Sequence, residues 1–144
     1  MNKTTYEKYL EENGQLTYKN VGVSMLPLLK QGRDLFTLNR KTSERCKKYD
    51  VVLYRRPPDK YVLHRIIEVR EEDYVIRGDN CINNEYGITD KDILGVMTSF
   101  IHKGKEYSVN DFRYKVYYVL RCKLYFFRLF KFKLKRILKG LVKK

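Results

Sequence analysis

Apolar and polar positions along the first hundred residues follow two periods in turn. Behind Thr4-x-x-Glu7, a capping-box pattern, Tyr6, Tyr9 and Leu10 recur at helical spacing, which predicts a short helix ending near Asn13-Gly14. From Gln15 to about Tyr107 the pattern becomes short alternating runs, predicting strands at 16–21, 35–38, 51–54, 61–69, 74–76 and 93–101. Turn residues separate these runs at Gln31-Gly32, Pro57-Pro58-Asp59, Glu71–Asp73 and Asp79-Asn80. Such spacing implies a small, coiled, mostly antiparallel sheet. From Arg113 to Lys144 apolar, aromatic and basic residues alternate without a helix breaker before Gly140, predicting one amphipathic helix. Phe126, Phe127, Phe130, Leu134, Ile137 and Leu141 fall on one side of it, and Arg128, Lys131, Lys135, Arg136 and Lys139 on the other. Tyr125 and Phe132 lie on the basic side.

Composition sharpens this picture. A chain of 144 residues, 43% hydrophobic and 33% charged, has room for one globular domain with a modest core. It contains 13 Tyr, no Trp and no Ala, which argues for a β-rich body and against a helical bundle. The net charge of +14 is uneven: residues 1–111 hold 19 Lys and Arg against 17 acids, while residues 112–144 hold 12 against none. A nearly neutral domain (1–111) followed by a basic tail (112–144) is the reading; a uniformly basic nucleic-acid binder would spread its charge over the body. For the tail, a membrane surface is the first expectation, because apolar residues suit acyl chains and cations suit anionic headgroups. Self-packing or oligomerisation comes second, and nucleic acid third. Cys46, Cys81 and Cys122 are far apart and lack the CxxC spacing of a zinc site, so three reduced thiols and no metal or cofactor are expected. The polar Met1–Gly14 is not a signal peptide, and no run of about 18 apolar residues is present to span a bilayer. The expected location is cytoplasmic, peripheral at the membrane face, with a membrane partner protein as a possible source of an anchor.

Three segments carry candidate chemistry. Gly22-Val23-Ser24-Met25-Leu26-Pro27 sets a serine between a predicted strand and a proline-restricted turn, where its hydroxyl can be held exposed while Gly22 lets backbone approach closely. In Tyr61–Ile67, His64 alternates with Val62 and Ile66 on one strand face; a neutral imidazole is the usual base for a hydroxyl nucleophile. His102 has no such setting and reads as a surface residue. Arg77-Gly78-Asp79-Asn80 ends another strand, with Glu85 after a polar stretch. A histidine acting on serine needs an acceptor on its other ring nitrogen, and Asp79 and Glu85 are both candidates.

In this order, Ser24-Met25-Leu26-Pro27, Tyr49–Tyr54, His64-Arg65-Ile66, Gly78-Asp79-Asn80 and Ile93-Leu94-Gly95-Val96 resemble the signal peptidase I family of serine proteases over about residues 15–100. The His-Arg pair resembles the branch of the endoplasmic reticulum, archaea and some Gram-positive bacteria, in which His replaces Lys as base. The resemblance implies a signal-peptidase-type coiled antiparallel β-sheet domain. It also implies a serine endopeptidase cutting a leader-like or signal-like precursor, with Ser24 as nucleophile, His64 as base and small side chains preferred before the cleaved bond. Glu85 stands where the family has Asp, leaving open whether it or Asp79 orients His64. Gly22 stands where many members have a hydroxyl, so the oxyanion would rest on backbone at Ser24 and Gly22, with Met25 and Pro27 against the substrate. The sequence departs from the family in having no amino-terminal anchor and in spelling the following Gly-Asp pair Gly32-Arg33-Asp34. The related self-cleaving repressors use Lys and cut at Ala-Gly or Cys-Gly, dipeptides absent here. The other alternative is a catalytically silent module of the same fold, binding membrane or nucleic acid through its tail.

Overall fold

Helix α1 (Lys3–Asn13) stops where Asn13-Gly14 predicts: Gly14 has φ +73°, and its N–H returns to the Leu10 carbonyl at 2.8 Å. The computed structural model describes residues 3–58 and 60–143, with side chains from Tyr6 onward, so Thr4's capping role and Asp59 of the predicted turn lie outside the described residues. Glu7 does not need to be read as a cap, because its carboxylate meets Arg55 and accepts a hydrogen bond from Tyr61 at 3.2 Å. Leu10 on the same helix is 2% exposed in the core.

Eight strands follow: β1 (Gln15–Lys19), β2 (Leu35–Arg40), β3 (Val51–Arg56), β4 (Lys60–Val69), β5 (Tyr74–Arg77), β6 (Glu85–Ile88), β7 (Ile93–His102) and β8 (Lys105–Ser108). They form one antiparallel sheet in the order β1-β2-β7-β3-β4-β5-β6, with β8 also on β7. Irregular register at Thr37/Leu38, Leu53/Tyr54, Ile66/Glu68 and Tyr74/Ile76 interrupts four of the pairings. Bulges of this kind bend and twist strands. The continuous apolar run Val51–Tyr54 is buried on both faces, as a central strand requires. Val51 and Leu53 join Leu16, Leu29, Leu38 and Met97 in one core cluster, while Val52 and Tyr54 join Ile66, Tyr74 and Ile76 in another.

Two strands escape the sequence pattern. In β6 only Ile88 is buried, and β8 has no buried residue. The β7–β8 turn is Lys103-Gly104, with φ +52° and +77°, the geometry that two-residue hairpins favour but without the Asn-Gly or Asp-Gly signal.

The predicted single carboxy-terminal helix is two helices, α2 (Phe112–Lys123) and α3 (Tyr125–Val142), meeting at Leu124. Tyr114 of α2 is 4% exposed and packs with the Leu29–Phe100 core, so the first part of the basic segment belongs to the body. From α3, only the start touches the body: Tyr125 donates to the Ile82 carbonyl at 2.7 Å, and Arg77 lies 3.5 Å over its ring. No residue of α3 is buried. None of the described helices is long and apolar enough to cross a membrane.

Candidate active site

Ser24 lies at the start of the loop that joins β1 to β2. Met25, Leu28 and Leu29 sink into the core and pin the loop from below. Buried Asn20 ties its neck, donating Nδ2 to the carbonyls of Leu29 at 3.1 Å and Gly22 at 3.3 Å. Asp34 closes the far end. Burial alone would raise its carboxyl, but Arg33 and the N–H groups of Lys30 and Lys103 together hold it well below the usual carboxylate range. His102 is therefore no free surface residue: its Nδ1 lies 2.9 Å from the Leu28 carbonyl and 3.1 Å from Asp34 Oδ2.

The Gly78-Asp79-Asn80 turn holds this loop from the side. Asn80 donates its N–H to the Ser24 carbonyl at 2.8 Å and its amide to the Val23 carbonyl at 3.1 Å. Gly78 is where backbone approach is closest. A Cβ there would lie 2.7 Å from the Ser24 carbonyl oxygen, 2.7 Å from Cys81 Sγ and 2.9 Å from His64 Nε2. The close approach that Gly22 was expected to allow thus belongs to Gly78. Gly22 has open space around it, and what it supplies is the left-handed φ of +84°.

His64 is 5% exposed on β4 and shares one cleft, of about 340 Å³, with Ser24, Asn20, Arg56, Tyr61 and Cys81. Its Nδ1 lies 3.1 Å from the hydroxyl of Tyr54, which in turn donates to Glu85 Oε2 at 2.7 Å. Since the Tyr54 proton is committed to Glu85, the Tyr54 oxygen accepts from His64, which places the imidazole proton on Nδ1 and leaves Nε2 bare toward Gly78 and Ser24. Arg56 completes the chain on Glu85, with Nε 3.2 Å from Oε2 and a second contact from its other nitrogen to Oε1. Among the described residues Ser24 Oγ makes no hydrogen bond, and neither does the Ser24 N–H.

One of the two candidate acids lies in the hydrogen-bond chain of His64. Glu85 does so through Tyr54, with Oε1 3.8 Å from Nδ1. Asp79 does not: it pairs with Arg65 at 2.8 and 2.9 Å, and accepts from Tyr117 at 2.8 Å. Of the two residues expected against the substrate, Met25 is 1% exposed in the core, and Pro27 lines a neighbouring apolar groove with Phe100, Tyr107 and Tyr114. The Gly22 N–H is taken by Gln31 Oε1 at 2.9 Å, which leaves the Ser24 N–H as the backbone donor for an oxyanion. Tyr54, Arg56 and Asn20 were not singled out from the sequence; an apolar strand with one tyrosine gives no sign that its hydroxyl faces a histidine.

Burial pushes the His64 imidazole down from 6.5 to about 4, with Glu85 and, less strongly, Asp79 opposing and Arg56 assisting. The group is neutral in the folded protein and charged in the unfolded chain between those values, so the unfolded state binds more protons there. Stability should be full above pH 6.5 and fall by about 3 kcal/mol as pH drops to 4. Urea titrations across that window, with His64→Gln as reference, check the sign. Tyr54→Phe removes the acceptor for Nδ1–H and should weaken stability by about 1–3 kcal/mol.

No family model, no curated protein and no solved structure matches the chain.

Proposed function

We propose that the chain is a serine endopeptidase of signal-peptidase type that cuts an extended peptide or precursor segment. The observation that carries this reading is the bare Nε2 of a neutral His64, aimed at the point where Gly78 and the Ser24 backbone meet. Ser24 Oγ attacks the substrate carbonyl while His64 Nε2 takes its proton. The carbonyl oxygen becomes an oxyanion on the Ser24 N–H, and the proton then passes to the leaving amine. The imidazolium formed on the way is stabilised through Tyr54 by Glu85. Water, deprotonated by His64, finally releases the acyl group from Ser24.

The register favours an extended substrate. β3 pairs with β4 from Lys60 to Arg65, whereas β5 takes the other edge of β4 only from Arg65 onward. Residues 60–64 therefore present an unpaired edge along the cleft, and a substrate strand bonded there would pass Ser24.

A reactive-serine probe should label the wild-type chain and leave Ser24→Ala unlabelled. Peptides from a mixed unstructured library should be cut by the wild type alone, as read by mass spectrometry. The missing Ser24–His64 hydrogen bond is what favours the alternative of a silent module. Identical labelling and cleavage profiles for the two proteins would decide for that module.

A further inference from the structure

We propose that α3 lies flat on an anionic lipid bilayer, its Phe126–Leu141 face in the acyl boundary and Arg121 and Arg128 at its root taking lipid phosphates, with the buried charge of Arg77 behind them. The inference does not depend on turnover at Ser24. After the contacts of Tyr125, α3 leaves the body with a continuous apolar face. Phe126, Phe127 and Phe130 are 74%, 68% and 66% exposed, and Ile137 and Leu141 exceed 60%. Six cations and no acid occupy the helix. Water alone covers that face poorly, and a helix this charged lies on a bilayer and does not enter it.

The root of the helix adds a second, independent observation. Arg77 is 7% exposed, yet among the described residues its guanidinium meets no carboxylate, only Asn84 Oδ1 at 3.1 Å and the Tyr125 ring. Arg121 gives its Nε to the Asp79 carbonyl at 3.0 Å. Burial first, then the nearby charges of Arg121 and Arg77, push Arg128 below its ordinary value. Asp79, whose charge acts on Arg128, is committed to Arg65 and Tyr117. Three arginines gathered without an anion are complementary to lipid phosphates, and they sit beneath the apolar face that acyl chains would cover. Nucleic acid fits less well, because Phe126, Phe127 and Phe130 share one face apart from the cations, and of the α3 phenylalanines Phe132 alone stands among them, beside Arg136. Tyr125 touches Ile82, next to Cys81 in the cleft, so docking brings the cleft to the lipid surface.

Co-sedimentation of the full chain with vesicles tests this, using phosphatidylcholine alone or mixed with phosphatidylglycerol. Partition should be about tenfold or more stronger on the mixed vesicles and should weaken with salt. Phe127→Glu/Leu134→Glu replaces exposed residues only, leaves the core intact by circular dichroism, and should lose that partition; Arg128→Gln should lower it several-fold. Ser24→Ala should sediment as the wild type does, which separates this result from the protease reading. Sedimentation indifferent to anionic lipid, or unchanged in Phe127→Glu/Leu134→Glu, overturns the proposal. So does a dimer in sedimentation velocity that these two substitutions abolish, or oligonucleotide binding without vesicle binding.

Discussion

Asp79→Asn should destabilise the fold by about 3–5 kcal/mol and lower the His64 titration less than the loss of the Glu85 charge does. Arg65 is 0% exposed and Asp79 5%, and two parallel hydrogen bonds join their opposite charges in the core. Burial opposes the Arg65 charge, and Asp79 restores it, raising the guanidinium above its ordinary value. Removing the carboxylate charge leaves a buried cation with neutral acceptors alone: the Tyr49 carbonyl and Tyr114 hydroxyl, at 2.9 Å each, and one amide oxygen in place of the carboxylate. Urea midpoints measure the loss, and the NMR titration of His64 measures the coupling. Glu85→Gln should show the converse, a smaller stability change with a clear shift at His64, since Glu85 is 26% exposed in its side chain. A stable Asp79→Asn protein with a displaced His64 titration would make Asp79 the orienting acid after all.

If the chain is the protease proposed above, Gly78→Ala should lower kcat/KM by about a hundredfold or more, because a displacement of roughly 1 Å suffices at a reacting centre. The added methyl meets three groups at once, the Ser24 carbonyl, the Cys81 thiol and His64 Nε2, all within 2.9 Å. The thiol can swing aside, but the carbonyl is backbone fixed by the Asn80 N–H, and the imidazole is fixed by Tyr54. Overpacking should also cost about 1–3 kcal/mol of stability. Gly140→Ala is the contrast: nothing stands within 4 Å of its Cβ on α3, so activity should be unchanged and the helix slightly firmer. Steady-state rates on any peptide the wild type cuts, with urea unfolding alongside, read both effects.

What the chain discloses before it folds follows from how local each signal is. The strands around Val51–Tyr54 and Tyr61–Val69 are legible because their apolar residues are contiguous. The polar β6 and β8 are held by neighbours, Tyr74 and Ile76 for one and Ser99–His102 for the other, so their own residues say little. Ser24, His64 and Glu85 could be picked out as candidates, and the fold brings them together. The division of labour between Asp79 and Glu85 could not be read, because it depends on sheet geometry. His64 and Arg65 are consecutive on β4 and point to opposite faces, so one finds Tyr54 and Glu85 while the other finds Asp79 and Tyr114. The break at Leu124 is equally silent, with no Gly or Pro to mark it; α2 is fixed on the body by Tyr114, Tyr117 and Arg121, and α3 departs from there.

That docking of α2 has a consequence for the order in which the protein matures on the ribosome. Residues 15–108 contain the whole sheet and both members of the proposed catalytic pair. Yet Asp79, next door to the Gly78 contact point, receives two of its ties from Tyr117 and Arg121, and Arg65 receives another from Tyr114. A nascent chain whose sheet has formed but whose α2 is still inside the exit tunnel lacks these braces. The cleft is then built early and made rigid late, which would delay cutting until the segment that leads to α3 has emerged.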